Sequence, residues 1–162
     1  MAVKKLLLIT IAIAIVLSGC SGHKESQIAE IQSIKNGIEQ QIKEGFFKKD
    51  TKSLSYSQPY VPTLKVIYID KNQIVRKYIQ EAGSDDSFLK SSFYYDQNGR
   101  LRFALFEGGA VNGSQIEHRV YFNSEGKRIS ENHENIKGPV YTFPEKWLDD
   151  ELITNPIESF NK

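Results

Sequence analysis

The sequence predicts an α+β fold, in which an N-terminal amphipathic helix packs on an antiparallel β-meander of about six strands and a short helix closes the chain. Three observations carry this. Isoleucines recur at spacings of three and four between Ile28 and Ile42, the period of a helix with one apolar face. From Leu64 onward the chain turns to short aromatic and β-branched segments broken by Asp, Asn and Gly, a pattern of strands and turns. Asp70, Asp96 and Asn123 stand in similar surroundings, 26 and 27 residues apart. That spacing holds two strands and two connections, so each unit reads as one hairpin.

The first twenty residues stand apart from this fold. Lys4 and Lys5 precede an apolar run of 12 residues, Leu6 to Leu17, which ends in Leu17-Ser18-Gly19-Cys20. A cationic start, a short apolar core and small residues at the end are the parts of a secretory signal, and the run is too short for a permanent span. Leu-Ser-Gly-Cys resembles the lipobox of bacterial lipoproteins. The resemblance implies diacylation of the Cys20 thiol, cleavage before Cys20, acylation of the new amino terminus and anchorage in the membrane through lipid on Cys20. Two or three acyl chains hold far more firmly than the marginal grip of one. Cys20 is the only cysteine, so the exported domain has no disulfide. The expected location is the cell envelope; in a diderm host Ser21 is compatible with sorting to the outer membrane, facing the periplasm. The expected organisation is a signal peptide over residues 1–19, a lipidated tether over 20–24 and a single α+β domain over 25–162.

Cleavage leaves 143 of the 162 residues, a length for one domain with a modest core. It removes two lysines and leaves 19 basic residues against 20 acidic ones, a formal −1 with histidines neutral. Both signs are interspersed, so the chain has no electrostatic footprint for nucleic acid. Lys48-Lys49, followed by Asp50, reads as solvated surface.

The helix is expected from about Glu25 to Glu44. Ile28, Ile31, Ile34, Ile38 and Ile42 form its apolar stripe, Phe46 continues it, and Glu30, Gln32, Lys35, Glu39 and Gln40 fall on other faces. Gly37 lowers helix propensity by about 1 kcal/mol relative to Ala, so the helix depends on packing, against the sheet or against a second copy as a short heptad seam. In the hairpins, Asp or Asn opens each turn by accepting backbone hydrogen bonds, and Gly99 and Gly126 supply positive φ; in the first unit Asn72 would take that role. A three-residue loop at Gln97 to Gly99 sets Tyr95 opposite Leu101 and Phe93 opposite Phe103, an apolar face for the helix. Tyr94, Arg102 and Tyr121 then fall on the side away from the helix and form the candidate binding surface, because Tyr and Arg are enriched at interfaces. If a second layer covers them, a partner would meet the Gly-rich segment Glu107 to Ser114 instead. That segment and Glu81 to Ser87 read as mobile loops at the other end of the sheet.

The unit Tyr94-Tyr95-Asp96-Gln97-Asn98-Gly99-Arg100-Leu101, with the following Phe106-Glu107-Gly108-Gly109-Ala110-Val111-Asn112-Gly113, is similar to the repeat of MORN-variant proteins, and less closely to YD-type repeats. The resemblance spans about Phe93 to Ile129. It implies a noncatalytic scaffold that binds protein or membrane, toxin-neutralising partners included.

Val140-Tyr141-Thr142-Phe143 is expected to add a last strand. Pro144 opens a short helix with Trp147, Leu148, Leu152 and Ile153 on its buried side, and Asn155-Pro156 ends it. No nucleophile elbow, helical His pair or metal-ligand spacing is present, so no catalytic residue, cofactor or metal is assigned. His118 and His133 lie on the two arms of the third hairpin, with His118 opposite Glu131 or Asn132 according to register. Three function classes follow: a lipid-anchored, noncatalytic binding or interaction module with a protein or envelope partner; a small envelope hydrolase using carboxylates such as Asp85 or Glu107; and an immunity-type lipoprotein that neutralises a toxin.

Overall fold

The computed structural model describes residues 2–55, 58–59, 61–139 and 152–162, with side chains from residue 22 onward. Helix α1 spans Ala2–Lys43. It therefore runs unbroken through the expected tether and ends one residue short of the expected Glu44. No helix among the described residues is long and apolar enough to cross a membrane. Among the described residues seven strands follow: β1 (Lys48–Ser53), β2 (Leu64–Ile69), β3 (Val75–Gly83), β4 (Ser87–Tyr95), β5 (Leu101–Ala110), β6 (Gln115–Phe122) and β7 (Arg128–Lys137). They form one antiparallel sheet in sequence order, the meander that the hairpin units predict. Helix α2 (Pro156–Asn161) closes the chain.

The strand beyond the expected six is β1. Its sequence, Lys-Lys-Asp-Thr-Lys-Ser, has no apolar alternation and is almost wholly exposed, which conceals it from pattern reading. Lysines on an edge strand deter pairing with another chain.

The three hairpins share one geometry. Asp70 Oδ1 accepts the amides of Asn72 and Ile74, Asp96 Oδ1 those of Asn98 and Arg100, and Asn123 Oδ1 those of Glu125 and Lys127. Positive φ falls at Gln73 (63°), Gly99 (74°) and Gly126 (81°), so Gln73 and not Asn72 takes the left-handed position in the first turn. Beside its turn each return strand then carries one extra residue, because the register shifts between Tyr68 and Ile69, between Tyr94 and Tyr95 and between Tyr121 and Phe122; β7 has a second shift at its far end, at Ile136. The bulged residues are Arg76, Arg102 and Ile129.

The bulge decides which face each side chain takes, since a shift of one residue reverses the alternation. Tyr95 pairs with Leu101 as expected, but Phe93 pairs with Ala104, and Phe103 pairs with Tyr94. Tyr94, Phe103 and Tyr121 consequently form the core beneath α1, with Ile31 and Ile38 fully buried and Ile28, Ile34, Ile42 and Ile129 around them. Phe46 is exposed and Phe47 packs in its place, because the helix has ended and Gly45 turns the chain at positive φ.

The opposite face carries the larger core: Ile67, Val75, Tyr78, Leu89, Phe93, Tyr95, Leu101, Ala104, Phe106, Val120 and Phe122. Leu152, Ile153 and Phe160 of the C-terminal segment pack on it, and the Tyr95 hydroxyl donates to the Ile153 carbonyl at 2.6 Å. Asn155-Pro156 starts a helix where an end was expected. Asn155 caps it by accepting the Glu158 amide, and Pro156 occupies the first turn, where it forfeits no helical bond. The expected strand Val140–Phe143 and the site of Trp147 lie outside the described residues.

Candidate functional site

Tyr94, Arg102 and Tyr121 come together as the sequence suggested, but beneath α1 and not on an open face. All three are buried. Tyr94 and Tyr121 flank Phe103, with ring centroids at 5.6 and 4.9 Å. The bulge turns Phe103 to the side of Tyr94, Arg102 and Tyr121, which makes that side apolar enough for α1 to cover. Each polar group here meets another part of the chain. The Tyr94 hydroxyl donates to Glu39 Oε1 at 2.6 Å, and Lys77 Nζ reaches the same oxygen at 2.5 Å. Arg102 donates from Nε to the Phe122 carbonyl and from Nη2 to Glu30, with Nη1 3.7 Å from Asp96. Glu30 and Glu39, placed on outer faces by helical periodicity, thus clamp α1 to the sheet from the borders of its stripe.

Electrostatics match this reading. Burial and the Glu39 carboxylate push the Tyr94 phenol well above its ordinary range. Burial raises the Glu39 carboxyl, but hydrogen bonds from Lys77 and Tyr94 and the Lys77 charge outweigh it, so the net direction is down and the clamp is ionised. A polar cleft of about 570 Å³ remains between α1 and the turns, lined among others by Gly37, Arg76, Arg100 and Arg102. Arg76 repeats the bonding of Arg102: Nε donates to the Tyr95 carbonyl at 3.2 Å and Nη1 lies 3.4 Å from Asp70. Each of these arginines staples its hairpin to the next. In the third hairpin, after which the described residues hold no further one, the pair becomes Asn123 and Ile129, neutral at both positions. The equal spacing, six residues from Asp70 to Arg76, Asp96 to Arg102 and Asn123 to Ile129, is the sequence signal that could have revealed the staple.

The open surface lies at the other end of the same face. About half of each segment expected to be a mobile loop is strand there: β3 runs to Gly83 and β5 to Ala110. Phe88 stands opposite Gly109, and its ring lies so close to that backbone that a Cβ at Gly109 would come within 2.3 Å of it. The absent side chain seats the ring, which is still 57 % exposed. Ile136 is exposed nearby, and together with Lys90, Glu107, Gln115 and Glu117 these residues line a depression of about 330 Å³. Val111 is exposed at the β5–β6 turn. Across the strands runs a row in which Glu81 pairs with Lys90, Lys90 with Glu107, Glu107 with Glu117 and Glu117 with Glu134. Arg119 bonds both Glu117 and Glu134. The row holds four carboxylates against two cations.

His118 pairs directly with His133, neither of the expected registers, because the bulge at Ile129 adds one residue to the return strand. Its Nε2 lies 2.5 Å from Glu131 Oε1 and its Nδ1 lies 3.2 Å from His133 Nδ1. Arg128 holds the second Glu131 oxygen at 2.6 Å. Burial lowers the His118 pKa, opposed but not outweighed by Glu131. Among the described residues no three His, Cys, Asp or Glu side chains converge in a metal-binding group.

Compared with protein-family models, with curated proteins and with solved structures, the chain finds no match.

Proposed function

We propose that the protein is a lipid-anchored, noncatalytic binding module of the cell envelope that holds a protein partner on the loop end of its sheet. Leu17-Ser18-Gly19-Cys20 supports the anchor. The observation that carries the binding role is the Phe88 ring, pinned on Gly109, largely exposed and bordered by Ile136 and the glutamate row. An aromatic anchor fixed before binding loses little rotamer entropy, and an apolar centre with a charged rim is the anatomy of a protein interface. Four carboxylates against two cations suit a partner that offers an apolar side chain flanked by Lys or Arg. Like charges directly opposite one another across strands are destabilising, and basic groups from a partner would relieve them.

Two measurements test this reading. Mass spectrometry of the membrane fraction should find the mature protein beginning at an acylated Cys20, and Cys20→Ala should yield no acylated product; an acyl-free mature protein defeats the anchor. Crosslinking in the intact envelope, with the double variant Phe88→Ala, Ile136→Ser beside the wild type, should show a captured partner disappear while the thermal midpoint holds. Full retention of that partner defeats the surface.

A further inference from the structure

We propose that His118 and His133 form a binding site for a divalent first-row transition ion of the zinc type, with both Nδ1 atoms as ligands. Their separation, 3.2 Å, is close to the roughly 3.3 Å between two nitrogens that share a tetrahedral ion at bonds of about 2.0–2.1 Å. The lone pair needed at His118 Nδ1 is set by the other ring nitrogen. Nε2 faces the Glu131 carboxylate at 2.5 Å and must donate its hydrogen there, which leaves Nδ1 unprotonated in the neutral ring. Arg128 holds the far oxygen of Glu131 at 2.6 Å, so the carboxylate is itself oriented. A carboxylate behind a ligating imidazole is the usual outer partner of a histidine metal site.

His133 supplies the second nitrogen without any change of charge. In the absence of an ion its Nδ1–H can donate to His118 Nδ1, which accounts for the close approach. His133 is an exposed residue, so the hydrogen can pass to Nε2 through water, freeing Nδ1 for the ion. The exposed side leaves room for water to complete the coordination shell. Phe106 packs edge-on to His118, with ring centroids at 6.1 Å, and walls the opposite side.

The test uses the intact protein in detergent with Zn²⁺ alone as the probe. Calorimetry and NMR of the histidine ring protons should show one ion bound, with the His118 and His133 resonances shifting together and His23 unmoved. His133→Ala, at an exposed position, should abolish uptake without unfolding, and His23→Ala should retain it. Glu131→Gln should weaken affinity about 10- to 100-fold. No uptake by the wild type at submillimolar zinc, or equal uptake by His133→Ala, overturns the site; unchanged affinity in Glu131→Gln overturns the role given to the carboxylate.

Discussion

At the turn end of the sheet Arg76, Lys77 and Arg102 each meet a carboxylate, and the aromatic rings of Tyr94, Phe103 and Tyr121 lie under α1. At the loop end, on the same face, Glu107 and Glu117 stand opposite each other, as do Glu117 and Glu134, and Phe88 and Ile136 face solvent. The same seven strands therefore carry one region in which charge and apolar area are matched within the chain and another in which both are left over. Folding accounts for the first. In the second, cations and apolar contact from outside would improve the match, which is why the proposed binding surface lies there and not around the tyrosines.

The largest difference should appear when one isoleucine is truncated at each end. Ile38 is 1 % exposed between α1 and the sheet, and Ile38→Ala should destabilise the protein by about 2–5 kcal/mol through lost burial and a residual cavity. Ile136 is 47 % exposed, and Ile136→Ala should change stability by less than about 0.5 kcal/mol. Denaturant midpoints of the two variants measure the difference. Similar losses would mean that the loop end is a packed part of the fold and that its apolar surface needs no partner.

How far the sequence revealed these regions depends on what fixes each feature. The helix, the meander and the three Asx turns are local, and Ile spacing, Asp70, Asp96, Asn123, Gly99 and Gly126 announce them. The facing of the strands is not local. A bulge one residue long at Arg76, Arg102 and Ile129 reverses every later side chain, and nothing in the composition of Leu101-Arg102-Phe103 marks which residue is extra. That single geometric step turned Phe103 to the side of Tyr94 and Tyr121, so that α1 covers the face expected to stay open, and it paired His118 with His133. The loop-end surface was hidden for another reason: Gly108-Gly109 reads as a breaker in isolation, and its role as the seat of the Phe88 ring depends on cross-strand pairing. Strand β1 escaped because an edge strand with both faces wet needs no apolar alternation.

Acid should distinguish the clamped turn end from a third place, the histidine pair on the opposite face of the sheet, in a smaller way. His118 faces Glu131, His133 and Arg128 from the β6–β7 hairpin and Phe106 from β5, and burial holds its pKa below the ordinary 6.5. A depressed histidine favours the neutral folded form, so its contribution is present above about pH 6.5 and is lost as the pH falls toward the lowered value. The clamp at Glu39 titrates later. Its pKa lies below the ordinary 4.5, so its contribution persists above that value and is lost only in stronger acid. Between pH 6.5 and 4.5, therefore, amide protection factors, which discount the slower intrinsic exchange in acid, should fall in β6 and β7 around His118 and His133 while α1 around Glu39 stays protected. Below 4.5 the helix should loosen as well. Protection factors that fall first at α1, or equally in both places, would show that the Glu39 clamp and the His118 pair do not govern these two parts of the sheet separately.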